Sequence, residues 1–187
     1  MEPVQYVALL RAINVGGHAV IGMTDLKDLF VAAGCANVKT YIQSGNVVFD
    51  ASKKDTSPLF RKILAGLTRR LGKEPGIVFR TVDELEHLVR TSPFARRKPS
   101  PDEKLYVVFL SGKPERTPTL PMMSEKDAVE AVVIEDLHIF MVSRPAKNGR
   151  YGFPNALAEK ELGVAATTRN WNTVMKIVEF ARPSGPR

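Results

Sequence analysis

The chain has 187 residues, 44% of them apolar and 25% charged, with a formal net charge of +7 and a pI near 9.6. That balance excludes a disordered or fibrous chain. No apolar run approaches the roughly 20 residues of a membrane-spanning helix, and the N-terminus lacks the basic, apolar and small-residue order of a secretory leader. The single cysteine, Cys35, excludes an internal disulfide and fits a reducing compartment, so a cytoplasmic protein is expected. The positive excess biases the molecule toward anionic partners.

In chain order, Val4 to Ile13 is apolar at nearly every position and predicts a strand buried on both faces, which Arg11 interrupts. Thr24 or Asp25 then caps a helix carrying Leu26, Leu29, Phe30 and Ala33, which Gly34 ends. Val38–Gln43 and Asn46–Phe49 flank Ser44-Gly45 as a hairpin. Ser57-Pro58 opens a second helix that runs to Gly72, and Ile77–Arg80 is a short strand. Thr81 and Glu84 form a capping box for a third helix. The order is β-α-β-β-α-β plus a helix. Ser92–Glu103, with three prolines and Arg96-Arg97-Lys98, reads as a linker.

The second half repeats the pattern. Leu105–Leu110 is a strand, Pro121–Ala128 a short helix, and Ala131–Ile134 with His138–Val142 a second hairpin around Glu135-Asp136. Asn155–Leu162 is a helix closed by Gly163. Val164–Thr168 is strand-like, and Arg169-Asn170 opens a last helix with Trp171, Val174, Met175 and Val178 inward. The predicted class is therefore α+β, with two tandem ferredoxin-like units, antiparallel sheets and extra helices. The units are residues 1–91 and 104–181, joined by the linker 92–103 and followed by a tail at 182–187.

Several polar side chains stand out. Arg11 in an apolar strand must be paired or reach a cleft, and its planar fork suits a carboxylate or phosphate. Asn14, Gly16 and Gly17 form a strand-to-helix loop whose spacing fits neither a dinucleotide fingerprint nor a P-loop. Asp25 and Asp28 at the following helix start argue against an anion there. Gln43, Ser44 and Asn46 gather at a hairpin tip. Asn170 suits a helix N-cap, and Thr173 stands within reach of its backbone. Arg169, as a cation at a helix start, makes physical sense beside an anion. His18, His87 and His138 lack ligand spacing, and no nucleophile–base arrangement declares itself. No metal or cofactor is expected, and no reaction is legible.

Three stretches, Leu10–Gly17, Thr40–Phe49 and Ala166–Val174, resemble the motifs of the bacterial domain of unknown function 1697 family. The resemblance runs from about Val4 to Phe180. It implies a cytosolic protein of two α+β units with no established activity. It marks Arg11, Asn14, Gly16, Gly17, Gln43, Ser44, Gly45, Asn46, Arg169, Asn170 and Trp171. Members often carry a Ser-Lys pair where this chain has Arg150-Tyr151-Gly152-Phe153, so Lys147 or Arg150 would have to take the place of that lysine.

The leading expectation is a polar pocket between the two units in which Arg11 and Arg169 hold a small anionic ligand. Asn14, Gln43, Ser44 and Asn46 would orient it. Two alternatives stay open: an interaction protein whose motif residues are structural, and a single-stranded nucleic-acid module favoured by charge and fold class.

Overall fold

The computed structural model describes residues 3–14, 20–43, 45–52, 56–95, 99–116, 118–135 and 137–182. The elements are β1 (Pro3–Leu10), α1 (Met23–Ala33), β2 (Ala36–Tyr41), β3 (Asn46–Ser52), α2 (Ser57–Leu71), β4 (Ile77–Thr81) and α3 (Val82–Thr91). They continue with β5 (Lys104–Leu110), β6 (Met123–Ser124), β7 (Val129–Glu135), β8 (His138–Ser143), α4 (Asn155–Leu162), β9 (Ala166–Asn170) and α5 (Trp171–Ala181). The chain divides into two compact units: Met1–Glu86 with Ile177–Arg187, and His87–Lys176. The architecture is mixed α and β, with two antiparallel sheets of four and five strands.

In the first unit the strand order is β2-β3-β1-β4. Alternation along β1 and β3 turns Ala8, Leu10, Val47, Phe49 and Ala51 toward one face, where they pack on Leu26 and Phe30 of α1 and Ile63 and Leu67 of α2. The Phe49 ring meets Tyr6, Phe30 and Phe79 at centroid distances of 5.8, 5.3 and 6.3 Å. Val7, Leu9, Val48 and Val78, on the other face, are buried as well. That is why β1 reads as a continuous apolar run.

The capping box forms as its spacing requires. Thr81 N–H donates to Glu84 Oε2 at 2.6 Å, and Glu84 N–H donates to Thr81 Oγ1 at 3.1 Å. Gly34, Gly72 and Gly163 end their helices in the left-handed conformation. Three boundaries differ from the sequence reading. β1 stops at Leu10, because Ala12 and Asn14 turn the chain with φ of 52° and 56°, so Arg11 is an exposed residue beyond the strand. α1 is capped by Gly22, ahead of the expected Thr24 or Asp25, and a glycine offers no side chain to recognise. α2 is capped by Thr56 rather than Ser57.

In the second unit the order is β6-β7-β8-β5-β9. Val108, Leu110, Ile139, Met141 and Ala166 pack on Ala158 and Leu162 of α4. The helix expected at Pro121–Ala128 is absent; the two-residue edge strand β6 and a turn over 125–128 stand there instead. Pro121 and the Ser124–Asp127 turn explain this. Ser124 Oγ donates to Asp127 Oδ2 at 2.8 Å and accepts from Asp127 N–H at 3.3 Å, closing a local loop that competes with helix. No helix among the described residues is long and apolar enough to cross a membrane.

Cys35 is 6% exposed, and burial pushes its thiol pKa from 9.0 up to about 11. The thiol therefore stays protonated at pH 8, where an exposed cysteine is partly thiolate. Its contribution to stability is full below the unfolded-state value of 9.0 and is lost as pH rises toward about 11. A disulfide reagent at pH 8 is expected to label Cys35 only as fast as the first unit opens. Labelling at the rate of a free thiol would contradict this burial.

Candidate functional site

The best-defined polar site grows out of the end of β1. Leu10 N–H donates to the Gly45 carbonyl and Arg11 N–H to the Gly76 carbonyl, both at 2.8 Å, so the strand end is fastened on both sides. The chain then turns, and Asn14 acts as a latch. Its Nδ2 donates to the carbonyls of Ile21 at 3.0 Å and Gln43 at 3.1 Å, while its Oδ1 accepts the Ile21 N–H at 2.9 Å. One side-chain amide thus closes the β1–α1 loop and ties it to the β2–β3 hairpin, using both of its donors and its acceptor. Asparagine also tolerates the left-handed backbone required there.

A cavity of about 390 Å³ lies beside the latch, lined by Asn14, Val20, Ile21, Gly22, Met23 and Gln43. Gln43 is exposed, with its amide turned to no partner among the described residues. α1 starts at this cavity, and no side chain caps it. The acids that argued against an anion here are less obstructive than the sequence suggests. Asp28 lies beyond the first turn, and Asp25 is paired with Arg70 at 2.8 Å.

Asn46 is fully buried at the start of β3, and its Nδ2 donates to the Tyr41 carbonyl at 3.1 Å. Gly45, at φ 77°, sits against Leu10 and Ile13. Arg11 does not line the cavity; its stem runs beside Gly76. Gly16, Gly17 and Ser44 lie outside the described residues.

Arg169 and Asn170 are the last two residues of β9, and α5 follows directly at Trp171. The strand expected over Val164–Thr168 is present from Ala166 and runs on through Arg169 and Asn170, which pair with Val107 and Tyr106. Arg169 is 8% exposed, and its Nη1 donates to Thr167 Oγ1 and to the Thr168 carbonyl, both at 3.0 Å. Burial lowers its pKa from the usual guanidinium range to about 10. Asn170 does cap α5: its Oδ1 accepts the Asn172 N–H at 3.0 Å. Thr173 is half-buried in the first turn of α5, and Trp171 is buried against Phe94 and Phe140.

Arg80 escaped the sequence reading. It is the fourth residue of β4, as Arg169 is of β9, and it pairs with Val7 as Arg169 pairs with Val107. Its Nη1 donates to the preceding carbonyl, that of Phe79, at 2.7 Å, and burial lowers its pKa too. The signal was available: both arginines sit one or two positions before a helix cap. Lys147 and Arg150 are exposed, and Tyr151 instead lies under the Lys104 ammonium, 3.7 Å from its ring centre. No cluster of metal-ligating side chains occurs among the described residues.

A solved structure of a conserved bacterial protein from Streptococcus pneumoniae resembles this chain with a TM-score of 0.68 and 20% identity, covering 97% of this chain and all of that one. That likeness concerns the fold. No curated protein matches the chain significantly. The family described as "Protein of unknown function (DUF1697)" matches residues 4–140, which takes in the β1 loop and the hairpin, and the chain belongs to that family.

Proposed function

We propose that this chain is a cytoplasmic small-molecule-binding protein of two ferredoxin-like units, whose first unit takes a small phosphate- or carboxylate-bearing ligand at the latched loop. The fold reading rests on the β2-β3-β1-β4 order, repeated as β7-β8-β5-β9. The functional reading rests on one observation: a cavity of about 390 Å³, lined by Asn14 and Gln43 with Val20, Ile21 and Met23, lies beside the Asn14 latch. A side chain already fixed by three hydrogen bonds lowers the entropic cost of binding there. In this reading Asn14 and Asn46 shape the site and Gln43 touches the ligand. Arg11 stands at the same end of β1, with its stem beside Gly76. Arg169, Asn170 and Thr173 serve the strand-to-helix turn of the second unit.

Thermal-shift measurements with phosphorylated and carboxylated metabolites test this. A ligand at 100 times its Kd adds about 2.7 kcal/mol, which for a chain of this size raises Tm by roughly 5–10 °C. Gln43→Ala is expected to abolish most of that shift while leaving the unliganded Tm within about 1–2 °C of wild type, as for other exposed substitutions. Arg11→Ala is expected to weaken it less. Equal responses from wild type and Gln43→Ala would count against the site.

A second reading has its own support. Asn14, Asn46 and Arg169 all donate to the chain's own backbone. If structure is their whole role, Asn14→Ala lowers Tm and no metabolite shifts the wild type.

A further inference from the structure

A second cleft of about 650 Å³ runs along β2, at the edge of the first sheet, and shares no residue with the latched cavity. Its size falls in the range of small-molecule sites. Gln5 and Asp50, cross-strand partners on β1 and β3, line it together with Asn37 and Lys39 of β2 and Lys27 and Val31 of α1. Asn37 Nδ2 donates to Asp50 Oδ2 at 2.6 Å, which occupies the one carboxylate of the lining. Lys27 and Lys39 are exposed, and among the described residues neither is paired with an acid. Two ammonium groups therefore border one hollow against a single, already bonded acid. Val31, 50% exposed, supplies an apolar wall on the same hollow.

The backbone decides between a small molecule and an added strand. The β2 register is irregular between Ala36 and Lys39, and Asn37 takes φ 49°. An interrupted edge bearing lysine is a poor template for a further strand. Asn37 and Lys39, two positions apart on β2, both line the cleft. We propose that this cleft binds a small molecule with an anionic group, carboxylate or phosphate, on an apolar body. Lys27 and Lys39 hold the anion, and the Val31 side receives the body.

The test is an amide NMR titration of the full chain with phenyl phosphate and with benzoate, using phenol as the uncharged control. Saturable shifts are expected at Lys27, Val31, Asn37 and Lys39 with at least one of the two anions, and none with phenol. Saturation by phenyl phosphate alone assigns a phosphate ligand, and by benzoate alone a carboxylate. The double variant Lys27→Gln/Lys39→Gln keeps its fold, since both side chains are exposed, and is expected to bind about tenfold or more weakly for the loss of two charge-assisted contacts. In Gln43→Ala the saturable shifts at Lys27, Val31, Asn37 and Lys39 persist, whatever happens at the latched cavity, so failure of that cavity and failure of this cleft are separable. Shifts by phenol as large as those by the anions, unchanged affinity in the double variant, or no saturable shift at millimolar probe would overturn the proposal.

Discussion

Gly45→Ala is expected to destabilise the first unit by about 3 kcal/mol, summing a left-handed backbone penalty of roughly 1–2 and an overpacking cost of roughly 1–3. The residue sits at φ 77°, and a Cβ built there would lie 2.9 Å from Leu10 Cβ and 3.3 Å from Ile13 Cβ. Neither neighbour has room to retreat. Leu10 and Ile13 are both buried in the first core, and the Gly45 carbonyl accepts the Leu10 N–H. Urea unfolding followed by a probe in the first unit would measure the loss. Gly34→Ala is the comparison: it also has a positive φ, but no atom lies near its added Cβ, so it suffers the backbone penalty alone. Equal losses for the two variants would mean that the contact with β1 carries no energy.

Asn14→Ala is expected to lose about 3 kcal/mol, from three side-chain hydrogen bonds at roughly 0.5–1.5 each and a less tolerated left-handed backbone. Asn14→Asp separates the terms. It keeps the acceptor for Ile21 N–H and tolerates φ 56°, but it cannot donate to the Ile21 and Gln43 carbonyls. Its second carboxylate oxygen faces those two carbonyls and repels them, so its loss should be no smaller than that of alanine. Hydrogen exchange at the Ile21 amide is the local readout, and it should accelerate strongly in both variants. Unchanged exchange in both would show that the loop holds its shape without the latch.

Much of the fold was legible, for identifiable reasons. Thr81 and Glu84 satisfy each other's end of a helix, and that reciprocal bonding needs nothing from the rest of the chain. Gly34, Gly72 and Gly163 mark helix ends because few other residues take the left-handed turn. β1 and β5 announce themselves by burial on both faces. The failures occur where partners far along the chain decide. Arg169 and Asn170 look like the opening of a helix until β5 pairs with them. The start of α1 carries no signal, because a glycine caps it without a side chain.

The site was half legible. Asn14 and Gln43 do come together, but through the Gln43 carbonyl, which no side-chain pattern encodes. Arg11 looked like a strand residue because the apolar run continues through Ile13. Ile13 is in fact buried beyond a turn rather than within the strand. Arg169 drew attention as a cation at a helix start; it directly precedes the Asn170 cap of α5, and its guanidinium donates to Thr167 and to the Thr168 carbonyl. Lys27 and Lys39 drew no notice, since exposed lysines are ordinary and only the coordinates put them on one hollow.

The last residues of the chain complete its first unit. Ile177–Arg187 belongs with Met1–Glu86; Phe180 meets the Tyr41 ring at 5.2 Å, and Arg182 reaches Glu86 at 3.2 Å. During translation the amino-terminal half must therefore wait, with the Tyr41 surface bare, until the whole of the second unit has been made. A premature stop after Lys176 would injure the half made first and leave the half made second with its own strands intact.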